Sequence, residues 1–140
     1  MILKFMVPGR PAPQGSKRHV GRGVLVESSR EVGPWRERVA LAAHLAMTGA
    51  DATPYTTAVS IGLCFTLPRP KSTPKRRTPP AVKRPDLDKL TRAVLDAITG
   101  VVLLDDAQVV DLHARKRLAG IGEASGVVVT IEETERGSNP

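Results

Sequence analysis

The chain has 140 residues, 41% apolar and 25% charged, which suits one compact core and excludes a wholly disordered chain, a collagen-like repeat or a membrane protein. A single cysteine, Cys64, excludes an internal disulfide and a cysteine-based zinc site, and four aromatics are too few for base stacking to be the main way of holding single-stranded nucleic acid. The net charge of +7 is unevenly divided: residues 1–84 carry 15 Lys/Arg against 4 Asp/Glu, whereas residues 85–140 carry 6 against 10.

The start MILKFMVPGRP lacks the apolar stretch and small-residue cleavage site of a secretory leader, and no apolar run reaches the roughly 18 residues of a spanning helix, so a cytoplasmic, membrane-free protein is expected. Ile2 to Val7 reads as a first strand stopped by Pro8-Gly9. The Gly/Pro/basic loop 8–23 follows, where Gly21-Arg22-Gly23 between His19-Val20 and Val24-Leu25-Val26 predicts a small hairpin. Its cations Arg10, Lys17, Arg18 and Arg22, with the later Arg30, are candidate phosphate contacts, set against a mobile loop that binds nothing.

Pro34 to Met47 predicts a helix, with Trp35, Val39, Ala42, Ala43 and Ala46 at helical spacing before Thr48-Gly49. Thr57 to Leu67 alternates with period two, with Val59, Ile61, Leu63 and Phe65 on one strand face; the apolar flanks of Cys64 predict that it is buried. The second basic loop, 69–84, reads RPKSTPKRRTPPAVKR and contains no acid. Lys71, Lys75, Arg76, Arg77, Lys83 and Arg84 point to a polyanionic partner, because cations that neutralise phosphates release condensed counterions; a merely solubilising loop is the alternative. Asp86 to Thr99 predicts a second helix with Leu87, Leu90, Val94, Leu95 and Ile98 as its buried stripe and Asp88, Arg92 and Asp96 along another face. Strands are expected over Val109 to Leu118 and Gly126 to Glu133, followed by a frayed tail over 135–140. The elements imply a single α+β (mixed α/β) domain over residues 1–140, a roughly four-stranded mixed sheet with two helices packed on it.

The basic loop runs into Pro85-Asp86-Leu87-Asp88, and Asp105-Asp106 follows the apolar run Val101 to Leu104. A helix rises about 16 Å from Asp88 to Thr99, and extended chain from Thr99 to Asp106 spans at most about 24 Å. An apolar segment reversing at Gly100 can therefore bring Asp106 beside Asp88. Three converging carboxylates repel unless a cation shares the site. A hard ion suits such oxygen ligands, hence Mg²⁺, with Mn²⁺ as the alternative, whereas zinc would favour His or Cys; His19, His44 and His113 show no ligand spacing. Each acid also has a structural reading: Asp86 as an N-cap, Asp88 as a first-turn residue favoured by the helix dipole, Asp96 as an ion-pair partner of Arg92, and Asp105 as a turn residue.

The stretch RPDLDKLTRAVLDAITGVVLLDDAQVVDLHARKR, Arg84 to Arg117, resembles the signature of RusA-type Holliday junction resolvases, crossover-junction endodeoxyribonucleases of bacteria and their phages. VPGRPAPQGSKR and GVVVTIEE extend the likeness weakly. The resemblance implies that Asp86, Asp88 and Asp106 are the metal-binding catalytic aspartates acting on four-way DNA junctions. Arg92 stands where the family has a functional lysine, and Lys89 where it has an asparagine. Arg92 can stabilise phosphate charge but is too basic to exchange protons, so its role is electrostatic or else a salt bridge to Asp88 or Asp96. Lys89 joins the loop cations as a DNA-binding candidate. Two symmetric nicks need two active centres, so a homodimer is expected. Two other readings stay open: a non-catalytic basic DNA-binding phage accessory protein, and a metal-dependent nuclease without junction selectivity.

Overall fold

The computed structural model describes residues 1–15, 17–19, 25–27 and 30–134, with backbone alone for 17–19 and 25–27. Strand β1 (Ile2–Pro8) buries Leu3, Phe5 and Val7 and exposes the residues between them. Short β2 (Lys17–His19) and β3 (Leu25–Glu27) pair antiparallel, with Arg18 opposite Val26. That is the expected hairpin, whose turn at Gly21–Gly23 lies outside the described residues, as does the tail 135–140.

Helix α1 (Val32–Gly49) starts two residues before Pro34. Proline is tolerated in this first turn, where backbone N–H groups have no intrahelical acceptor, and Val32 is itself drawn into the core. Val39 and Ala43 are fully buried, and Ala42 and Ala46 flank the core. Strand β4 (Val59–Leu67) alternates buried and half-buried residues along its whole length. It begins at Val59 rather than Thr57, because the Tyr55 and Thr57 carbonyls are bonded by the Gln108 side chain and a register shift follows at Val59/Ser60.

Helix α2 (Leu87–Ile98) has Asp86 and Thr99 as its flanking caps. Leu90, Val94 and Ile98 are buried as expected, but Leu87 and Leu95 are only half-buried, and Thr91, Ala93 and Ala97 complete the inward face. A 3-10 turn (Asp106–Gln108) leads into β5 (Val109–Leu118), and β6 (Gly126–Glu133) ends the sheet.

The four-stranded sheet has the order β1-β6-β4-β5; β4 and β5 are parallel and the other pairings antiparallel. The register aligns Phe5, Val129 and Leu63 in one row and Leu3, Ile131 and Ile61 in another, so every strand interior feeds one face. Both helices cover that face, α1 against β1 and α2 against β5, and they pack on each other. Burying each such side chain contributes about 1.5–3 kcal/mol. This is the α+β domain expected, with a mixed sheet and two helices. Cys64 departs from its expectation: it is half-buried on the opposite sheet face, where Arg115 Nε donates to its sulfur at 3.3 Å. Apolar neighbours in sequence were misleading there, because period two sends them to the other side. No helix among the described residues is long and apolar enough to cross a membrane.

Candidate active site

The β4-to-β5 connection holds the second basic loop, α2 and the acidic turn, so one crossover carries most of the candidate chemistry. At its centre Asp86 has extended backbone angles (φ −73°, ψ 141°), and its carbonyl accepts from Leu90 N at 3.1 Å. Its carboxylate makes no capping hydrogen bond. Asp88, Arg92 and Asp96 are exposed along the outer face of α2. Among the described residues the ion pairs are His113–Asp111 and Arg117–Glu123, so Arg92 bridges to neither Asp88 nor Asp96. The structural readings of Asp86 and Asp96 as a side-chain cap and an ion-pair partner are therefore not realised. Their carboxylates are unspent.

Asp105 does have the structural role. Its Oδ1 accepts from Ala107 N at 2.9 Å, and a reciprocal capping box joins it to Gln108. The Ala107 N–H and then the Asp106 side chain hold the Asp105 carboxyl below its ordinary range. Asp106 is pushed the other way, first by its hydrogen bond with Asp105, then by desolvation and by the charges of Asp105 and Asp96.

The chain reverses at Gly100, whose φ of +88° is a left-handed conformation that glycine adopts without a Cβ clash. Gly100 N donates to Leu103 O at 2.7 Å, and buried Val102 and Leu103 pin the return. The reversal brings Asp106 within electrostatic reach of Asp96, about 12 Å further along the helix axis than Asp88 at 1.5 Å per residue. The expected meeting of Asp106 with Asp88 is therefore not seen within the chain: the reversal sets Asp106 by the C-terminal part of α2 instead, and among the described residues no three His, Cys, Asp or Glu side chains are grouped closely enough to hold a metal ion. As a donor set the acids fit a hard divalent ion: Asp86, Asp88 and Asp106 are all exposed carboxylates, and none is an imidazole or thiolate.

Gln108 received no role from sequence, although it lies in the motif Asp105-Asp106-Ala107-Gln108-Val109. Its Oε1 accepts from Leu104 N (2.8 Å) and Asp105 N (2.9 Å), and its Nε2 donates to Tyr55 O (2.8 Å) and Thr57 O (2.9 Å). Both lone pairs and both protons of the amide are used. This side chain fixes the acidic turn to the approach of β4.

A cleft of about 1090 Å³ opens beside Asp86. Arg10 and Arg30 from one basic region, Lys83 and Arg84 from the other, and Lys89 of α2 line it together with the acids Glu31 and Asp86. Gln14 N donates to Lys89 O at 2.9 Å, and Arg36 Nη1 to Gln14 Oε1 at 3.0 Å, which lays the first loop over the head of α2. The second loop is ordered by Arg69, whose guanidinium donates to Thr78 Oγ1, Ala119 O, Pro74 O and Arg77 O. With Arg69 directed inward, Arg76 and Arg77 are presented to solvent. Lys71 and Lys75 line a smaller depression of about 510 Å³ on the side of residues 120–125. Lys17 and Arg18 belong to β2, and Arg22 lies outside the described residues.

No curated protein matches the chain. The family model described as Endodeoxyribonuclease RusA matches residues 8–132, a span that takes in both basic loops, the cleft and the whole acidic crossover. A match of that extent, on a fold whose unspent acids and cation-lined cleft lie within it, means that the chain belongs to the RusA family of endodeoxyribonucleases.

Proposed function

We propose that this protein is a Mg²⁺-dependent, structure-selective endodeoxyribonuclease that resolves Holliday junctions by paired symmetric nicks in DNA recombination and repair. The observation that carries the reading is the cleft, whose lining brings together cations from two separate loops and Asp86, with its unspent carboxylate, at the head of α2. Phosphate backbone is the ligand suited to those cations, and the family match supplies the class of reaction. Asp86, Asp88 and Asp106 are the residues that would hold magnesium, or manganese in its place, which when bound supplies Lewis acidity at the scissile phosphate.

The protein's own groups do the rest. Arg10, Lys83, Arg84 and Lys89 seat the backbone in the cleft, Arg76 and Arg77 reach a neighbouring arm, and Arg92 stabilises the charge that grows on the phosphate. Hydrolysis breaks the bond to the 3′ oxygen and leaves a 5′-phosphate. One chain carries one such constellation, so two nicks placed symmetrically need a two-fold homodimer. The scarcity of aromatics agrees with recognition by junction shape and phosphate charge.

The test is a gel comparing a four-way junction, linear duplex and single strands with Mg²⁺, with EDTA, and with Asp88→Asn. Cutting confined to the junction, abolished by EDTA and by the variant while junction binding persists, is the expected result. Undiminished cutting by Asp88→Asn removes Asp88 from the reaction, and equal cutting of linear duplex removes junction selectivity.

A further inference from the structure

The helix-facing side of β5 carries one cation, Lys116, paired in register with buried Phe65. The side chain is half-buried, and its Nζ donates to Lys83 O at 2.9 Å and Pro85 O at 2.8 Å. The second acceptor is the carbonyl of the peptide bond that joins Pro85 to Asp86. Among the described residues Lys116 forms no ion pair with Asp86 or Asp88, so it acts on the backbone that carries them. The strand that bears Lys116 starts directly after the turn containing Asp106. One ammonium therefore ties the segment that delivers Asp86 and Asp88 to the far part of β5, ten residues beyond Asp106.

We infer that Lys116 is a positioning residue of the nuclease site, setting the place of Asp86 and Asp88 at the head of α2 without touching DNA. The inference rests on the reading that these aspartates hold a divalent ion. Groups hydrogen-bonded directly to metal ligands change metal affinity or activity by roughly 10- to 100-fold when removed; Lys116 acts one step further back, through the backbone, which places its effect at the low end, about 10-fold. A side chain that merely stiffened the loop would lower the melting temperature and leave metal dependence unchanged.

The test uses the full chain and compares wild type, Lys116→Met and Lys116→Arg. Mn²⁺ binding is measured by calorimetry without DNA, junction affinity in EDTA, and kcat and KM against Mg²⁺ concentration. Lys116→Met is expected to weaken Mn²⁺ binding and lower kcat about 10-fold with junction affinity in EDTA and KM for DNA unchanged. Lys116→Arg, which retains donors for both carbonyls, is expected to recover most of the loss. Unchanged Mn²⁺ affinity in Lys116→Met overturns the inference while leaving the nuclease reading intact. Lost junction affinity in EDTA also overturns it, by making Lys116 a DNA contact. Absence of Mn²⁺ binding by the wild type sinks the metal reading, and the inference with it. A Lys116→Met chain too unstable to assay shifts the decision to Lys116→Arg and Lys116→Gln, where equal Mn²⁺ affinity in the two overturns the inference.

Discussion

Replacing Gln108 with alanine removes four hydrogen bonds at one stroke, two to the turn that carries Asp105 and Asp106 and two to the carbonyls of Tyr55 and Thr57. A typical intramolecular hydrogen bond contributes about 1 kcal/mol net, which sets an upper value of about 4 kcal/mol. Three of the four are exposed and only the bond to Tyr55 O is part-buried, so water restores much of the loss. The expected destabilisation of Gln108→Ala is therefore about 1.5–3 kcal/mol. Urea unfolding followed by the fluorescence of Trp35, the single tryptophan and a buried one, measures it; with a slope of about 1–3 kcal/mol per molar, the midpoint falls by about 0.5–3 M. Gln108→Glu is a sharper probe. It keeps the two accepted bonds but sets a carboxylate against two carbonyl oxygens, so it is expected to be at least as unstable near neutral pH and to recover towards about pH 4, as the new acid gains a proton. A loss below about 0.5 kcal/mol for Gln108→Ala, or a Gln108→Glu variant indistinguishable from wild type at neutral pH, refutes the reasoning.

Neutralising Arg76 and Arg77 to glutamine is expected to weaken junction binding on all sequences and to reduce the slope of log affinity against log salt by about 1–2; an unchanged slope in a filter-binding salt series counts against the loop as a phosphate contact. Gly126→Ala puts a Cβ onto the Val7 carbonyl oxygen across the β1–β6 ladder, and a loss of about 1–3 kcal/mol is expected in thermal unfolding, with no loss refuting the close approach. Glu123 accepts from both Arg117 Nη atoms and from Gly120 N, which lowers its pKa from 4.5 to about 2. A depressed acid stabilises the fold above its unfolded pKa and loses that contribution as pH falls through the folded one. The Glu123 carboxyl signal in an NMR titration should therefore move near about pH 2, and a midpoint at 4.5 disproves the bridge in solution.

Much of this architecture was legible because its signals are periodic. The alternation of Val59, Ile61, Leu63 and Phe65 and the spacing of Leu90, Val94 and Ile98 depend on the pleat and the helix turn alone, and both reach the core as expected. Gly100 marked the reversal, since a positive φ is what glycine supplies. Thr91, Ala93 and Ala97 were invisible as core because small or polar residues add little to an apolar stripe, although helix packing needs them close to a neighbour. The tethers that shape the site were invisible for another reason. Gln108, Arg69 and Lys116 all bond to carbonyls of remote segments, and a backbone acceptor leaves no letter in the sequence. The acids themselves stood out by type and spacing. That Asp105 is spent as a cap while Asp86 is not became visible only from their geometry.

Strand β6 is made last yet lies second in the sheet, hydrogen-bonded to β1 on one side and β4 on the other. An emerging polypeptide consequently can pair β4 with β5, but its first strand waits for a neighbour supplied from the far end. Long-range closure of this kind is slow and all-or-none. Fragments cut or stalled before that strand arrives would leave β1 detached from β4, so the basic loop that follows β1 would not be held against the head of α2 beside the crossover.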